Sequence, residues 1–128
     1  MVPSQRRSRI ASPRDEARCT ERGVYDHATR LEESQHWGEV HGPLFAAQSE
    51  SKQYVRRYIQ DHRTNDALPG TTASNFDGIA EIWFDDISGA KAFFESDGYR
   101  QNVIPDEEAF MDRKRCELLY THEHSVMP

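Results

Sequence analysis

At 128 residues, 36% of them hydrophobic and 30% charged, the chain has the size of one domain with a thin core, of a kind that a second copy completes. Its net charge of -6 repels phosphate backbones and argues against a nucleic-acid partner. No apolar run approaches the ~20 residues of a bilayer span, and no signal-peptide core stands near the start, so a cytoplasmic protein without a membrane partner is expected.

The first fourteen residues, MVPSQRRSRIASPR, contain four arginines and no acid. Residues 1–33 as a whole lack an apolar face and are expected to form a disordered or irregular segment. An Arg- and Ser-rich start also suits an organelle transit peptide, but the apolar stripe of such a helix is missing. Cys19 and Cys116 are isolated, with no CxxC pair, and are read as reduced thiols rather than a disulfide framework or zinc site.

A helix is expected from Glu32, with Trp37, Val40 and His41 at helical spacing, and it should end or kink at Gly42-Pro43. Residues 54–62 read as a strand, and the turn-rich DALPGTTASN as a surface connection. In FDGIAEIWFD, residues 76–85, Ala80, Ile82 and Phe84 alternate with Ile79, Glu81 and Trp83, which predicts a strand with bulky groups on both faces. Asp85 or Asp86 can cap the next helix, which carries Ile87, Ala90, Phe93 and Phe94 before Gly98 stops it. A short helical piece over 99–103, a turn over 106–110 and a last strand over 113–121 follow, with a tail at 125–128. This order lacks only the first strand of a β-α-β-β-α-β unit, for which ARCTERGVY is a weak candidate.

Four segments, HWGEVHGPL, YVRRYIQDH, FDGIAEIWFD and VIPDEEAFMDRKRCELLYTHEH, come in this order within residues 34–124 and resemble the EthD domain family. The resemblance implies an α+β, ferredoxin-like domain: an antiparallel four-stranded sheet with helices on one face, joined to a second copy as a dimeric α+β barrel. Ala80, Ile82 and Phe84, with Val55 and Ile59, would then face the helices. Ile79, Glu81 and Trp83, with Tyr58, Gln60 and His62, would line the barrel. The apolar first strand and the first-helix aromatic that the family carries near Ser34 are absent here.

The family is similar to muconolactone isomerases, polyketide cyclases and decarboxylases, and cofactor-free monooxygenases. It therefore implies a cofactor-independent small-molecule enzyme, an oxidoreductase, isomerase, cyclase or decarboxylase, working by proton transfer on a cyclic or aromatic compound. The reading of another class is a non-catalytic homodimer that binds a hydrophobic ligand or assists an oxygenase. No P-loop, GxSxG elbow or dinucleotide fingerprint occurs, and no cofactor is expected.

His41 is the first candidate base, and its bland alternative is a residue that finishes the helix near Pro43. Tyr58 can donate to a developing oxyanion, and His62 can join it in a polar wall or stand inert at a strand end. Asp106 is read as a cap or first-turn carboxylate, or as the group that orients His41 or His62. Trp37, Glu81, Trp83 and Phe110 are the candidate substrate-binding residues, with packing as the alternative for the aromatics and solvation for Glu81. His36 and His41 are five apart, more than a right angle around an α-helix, and His122 and His124 lie near the terminus, so no metal site is expected.

Overall fold

The computed structural model describes residues 17–23 and 30–127, with the first stretch and residues 30 and 31 given by their backbone. Its elements are strand β1 (Ala17–Gly23), helices α1 (Arg30–His36), α2 (Gly42–Ala47) and α3 (Ser49–Tyr54), strands β2 (Val55–His62) and β3 (Gly78–Phe84), helices α4 (Ile87–Phe94) and α5 (Ile104–Phe110), and strand β4 (Glu117–Thr121). This is the β-α-β-β-α-β order, and the sheet runs β2-β3-β1-β4 with every neighbour antiparallel.

The weak candidate ARCTERGVY supplies β1, within the span 1–33 where irregular structure is expected, and α1 begins at Arg30. As an internal strand, β1 is hydrogen-bonded on both sides, from Ala17 opposite Phe84 to Gly23 opposite Gly78, and from Arg18 opposite Thr121 to Arg22 opposite Glu117. Two complete backbone ladders hold such a strand without an apolar alternation in its sequence. The readings of the first fourteen residues, and of the Cys19 thiol, lie outside what is described.

On β3 the expected division of faces is found: Ala80, Ile82 and Phe84 are buried under the helices. On β2 it is reversed. Val55 opposes Phe84, but Arg57 rather than Arg56 opposes Trp83, so the ladder carries a β-bulge between Val55 and Arg57. One extra residue flips the parity of everything beyond it. Tyr58, Gln60 and His62 consequently share register with Ile82, Ala80 and Gly78 on the helix side, while Ile59 opposes Glu81 on the open face.

The main core joins Phe45 of α2, Ile82 and Phe84 of β3, Phe93 of α4, and Tyr99 and Val103 beyond it. Ring contacts run from Phe45 to Phe93 at 5.1 Å and from Phe93 to Tyr99 at 5.3 Å. Each buried aromatic of this kind contributes about 1.5–3 kcal/mol. A second cluster, of Trp37, Ala80 and Phe110, lies beside it. Asp86 caps α4 as expected, its Oδ1 accepting from the Gly89 N–H at 2.8 Å.

Gly98 does not stop that helix. It ends at Phe94 with Glu95 as C-cap, and Gly98 already has helical φ and ψ. Its glycine serves an approach instead: the Gly98 N–H donates to Glu50 Oε2 at 3.0 Å, and a Cβ there would collide with the Glu50 carboxylate. Helix α3, SESKQY, has no apolar repeat and is invisible to periodicity. No helix among the described residues is long and apolar enough to cross a membrane.

Candidate active site

Pro43 has no N–H to give to a helix, and the chain solves this by widening one turn. The Gly42 N–H donates to the Trp37 carbonyl, five residues back, so Trp37–His41 form a π turn and the helix runs on into α2 without ending. The same device recurs ahead of Pro105, where Tyr99–Val103 form a π turn and the Ile104 N–H donates to the Tyr99 carbonyl.

The two π turns assemble the site. Five residues are more than a right angle apart on an α-helix, but they are nearly in line on a π turn, so His36 and His41 converge on one carboxylate. His36 Nε2 lies 2.9 Å from Asp106 Oδ1, and His41 Nδ1 lies 2.9 Å from Asp106 Oδ2. Asp106 sits in the first turn of α5, yet its carboxylate is spent on these rings, and the N-cap of α5 receives no side-chain hydrogen bond. Asp106 thus holds two imidazole rings and does not cap the helix.

Next to Asp106, Glu107 is buried and accepts from the Tyr99 hydroxyl at 3.1 Å on both oxygens and from Arg113 Nε at 3.1 Å. Its Oε2 stands 3.9 Å from His41 Nε2, within ion-pair range but outside hydrogen-bond range. Phe110 meets His41 edge-on, at 5.2 Å between centroids, and lies 5.0 Å from His36. It is the anchor of the cluster.

Burial holds the His41 pKa below its ordinary value, against the hydrogen bond and charge of Asp106, which pull it up. The imidazole is therefore neutral at neutral pH. Because a carboxylate can only accept, His41 Nδ1 carries the proton and Nε2 keeps its lone pair, facing Glu107. Such an arrangement holds an oriented neutral base.

A second polar group surrounds Tyr58, Gln60 and His62. Gln60 Nε2 lies 2.9 Å from both the Trp37 carbonyl and the Tyr58 hydroxyl, and Gln60 Oε1 lies 2.9 Å from His62 Nε2. The Trp37 indole packs against the His62 ring at 4.5 Å, and Tyr58 packs against Phe45 at 4.4 Å. The expected barrel-lining wall thus lies on the helix side of the sheet, with Tyr58 and Gln60 half-buried and His62 exposed at its end, and is linked to the His41 helix through Trp37.

Glu81 and Trp83 lie apart from both groups, on the sheet face opposite the helices, where Glu81 is half-buried and Trp83 is buried with the Arg57 guanidinium 4.8 Å over its ring. His122 and His124 are exposed beyond the end of β4. Among the described residues, no three His, Cys, Asp or Glu side chains are arranged to hold a metal ion. Two clefts adjoin the polar groups. One, of about 750 Å³, is bounded by His62, Thr64, Leu68, Thr71, Phe76 and Ile79. The other, of about 170 Å³, lies between Glu107, Met111, Arg113 and Leu118.

Sequence reasoning set His36 aside on its spacing and did not single out Tyr99, Glu107 or Ser34. The available signal was the repeated offset: an aromatic six residues ahead of a proline, as Trp37 to Pro43 and Tyr99 to Pro105, marks both π turns.

The profile of the EthD domain family matches residues 26–114. An ethyl tert-butyl ether D (EthD) family protein from Bacillus halodurans has the same fold, with a TM-score of 0.65 at 15% identity over 85% of this chain and 99% of that one. A dimeric protein of ferredoxin-like fold from Bacteroides fragilis aligns with a TM-score of 0.62 at 10% identity, over 85% of this chain and 97% of that one. SnoaB from Streptomyces nogalater, described as a cofactor-independent oxygenase, gives a TM-score of 0.60 at 14% identity, over 89% and 98%. No curated protein matches the chain.

Proposed function

The chain belongs to the EthD domain family, and on that premise we propose that it is a cofactor-independent enzyme of small-molecule metabolism in which His41 takes a proton from a cyclic or aromatic substrate. The observation that carries this reading is the 2.9 Å contact between Asp106 and His41 Nδ1, which leaves Nε2 of a neutral ring to act as base. Glu107, 3.9 Å from Nε2, borders the smaller cleft and gives the abstracted proton an outlet. His41 is only 3% exposed, so substrate reaches it where the α2–α5 seam opens, and π turns are frequent at functional sites.

In this reading Asp106 is the positioning group, Phe110 and Trp37 are the apolar walls, and Tyr58 supports the interior surface. SnoaB, with the same fold, is described as working without a cofactor, which is compatible with proton-transfer chemistry here. Isomerisation, cyclisation and oxygenation each begin with such a deprotonation, whereas a decarboxylation ends with the reverse transfer, of a proton to the carbanion that loss of CO2 leaves. The protein acts in the cytoplasm as a homodimer built through the open face of the sheet.

The burial of His41 equally favours a second reading, in which it ties α2 to α5 and the protein is a non-catalytic binding or accessory protein. Proton exchange separates the two. Enolisable cyclic ketones, lactones and phenols are incubated with the protein in D2O and followed by NMR, with ligand binding read on the same samples. The enzyme reading expects wild type to accelerate exchange, and His41→Ala to lose the acceleration by ~100-fold or more while still binding. Compounds that bind wild type without any exchange would support the binding protein.

A further inference from the structure

His62 ends β2 beside the larger cleft, and the partners of its two ring nitrogens fix where its proton lies. Trp37 O can only accept, so the Gln60 atom 2.9 Å away is the amide nitrogen, which also donates to the Tyr58 hydroxyl. The Gln60 oxygen is thereby turned toward His62 Nε2, 2.9 Å away, and that nitrogen must carry the proton it donates. In a neutral ring Nδ1 is then the acceptor, and the group facing it is the Ser34 hydroxyl, at 2.6 Å. Partial desolvation, against the pull of the Asp61 charge, holds the pKa of the exposed His62 below its ordinary value, which keeps Nδ1 open as an acceptor at neutral pH.

A serine hydroxyl donating to an imidazole nitrogen, whose other nitrogen is pinned by a third side chain, is the geometry of nucleophile, base and orienter. The Trp37 indole at 4.5 Å restrains the ring from its side, and His62 bounds the cleft of about 750 Å³. We propose that Ser34 and His62 form a second site, independent of His41, in which Ser34 Oγ accepts an acyl group from an activated ester or thioester that approaches the pair from the His62 edge of that cleft. Gln60 is the positioning residue.

The chemistry balances without an added redox partner. Ser34 Oγ bonds to the acyl carbon as its proton moves to His62 Nδ1. The bond from that carbon to the leaving oxygen or sulfur breaks, and the leaving group departs with the proton. Water then adds to the acyl carbon, giving a proton to Nδ1, and Ser34 Oγ leaves and takes it back. The products are a carboxylic acid and an alcohol or thiol.

The probe is p-nitrophenyl acetate with the full chain, read as the pre-steady-state burst of p-nitrophenolate and as the site of acetylation by peptide mass spectrometry. The expected result is a burst with the acetyl group on Ser34. Ser34→Ala should lower the burst rate by about tenfold or more, Ser34→Cys should retain a burst, and circular dichroism should show both folded. Gln60→Leu should slow the burst and move its pH midpoint downward, because the imidazolium loses its acceptor. A purely structural Ser34–His62 tie would move neither burst nor midpoint. Absence of a burst in wild type, an undiminished burst in Ser34→Ala, or acetyl found on another residue overturns the proposal.

Discussion

At the scale of single residues His41, held neutral by burial, and His62, exposed at the end of β2 but shifted the same way by partial desolvation, have a thermodynamic consequence. A histidine whose folded pKa lies below its unfolded value binds fewer protons folded than unfolded. Stability is then full above the unfolded pKa, near 6.5, and falls as pH drops below it until the folded rings themselves protonate. Denaturant midpoints measured from pH 8 downward should decline through this window, and His41→Gln should remove part of the decline. A midpoint that stays level in both proteins would contradict the burial of His41. That burial could not be read from the sequence, because it follows from Asp106 arriving from a helix 65 positions away.

The elements show why part of the site was legible and part was not. Periodicity found β3 and α4, because their buried faces repeat, although Ile87, expected on the packed face of α4, is 62% exposed at the first helical position and only Ala90 and Phe93 are fully buried. It failed on β2, where the bulge between Val55 and Arg57 reversed the faces, and on α1 to α2, where the π turn changed which residues line up. Both are one-residue irregularities, and each is costly to a reading that counts spacings. Close approach between elements is testable with two glycines. A Cβ on Gly78 would lie 2.5 Å from the Trp37 ring and 3.2 Å from the Asp61 carbonyl, neither of which can move cheaply. At Gly98 the obstacle is the end of the Glu50 side chain, which can swing aside. Gly78→Ala should therefore cost about 1–3 kcal/mol by chemical denaturation, and Gly98→Ala under about 1 kcal/mol, since alanine is also the better helix former. Equal costs would mean that Trp37 does not press on the strand.

For the whole molecule, the family fold was readable from four ordered segments, although no one of them is decisive. The first strand was the weak point, because an internal strand of ARCTERG composition is specified by its neighbours' backbones rather than by its own hydropathy. The face opposite the helices offers Ile59 and Ile79, both half-buried, and Leu119 at 53% exposure, paired with the same β1 residue as Glu81, while Trp83 is already buried there with the Arg57 guanidinium over its ring. A second copy seated there would turn a thin core into an adequate one. Light scattering of the purified chain should give a dimer, and Leu119→Lys with Ile79→Lys should shift it toward monomer, since two unpaired charges in a contact of this kind cost several kcal/mol. A wild-type monomer would leave that surface without a role.

The π turn before Pro43 also sets a rotational phase. In a helix each residue advances the chain by about 100°, so the extra residue accommodated at Trp37–His41 offsets everything ahead of it from everything behind by roughly that angle. His36 and Trp37 belong to one phase and His41 and Phe45 to the other. The turn thus works as a fixed dial between two halves of one rod: the first half aims Trp37 at the Gln60 and His62 group, the second buries Phe45 in the main core, and only at this setting do His36 and His41 meet on Asp106. Losing one residue from the turn would leave each half intact and helical, yet turn the first through about a quarter of a circle against the second, and would decouple the two polar groups without unfolding either helix.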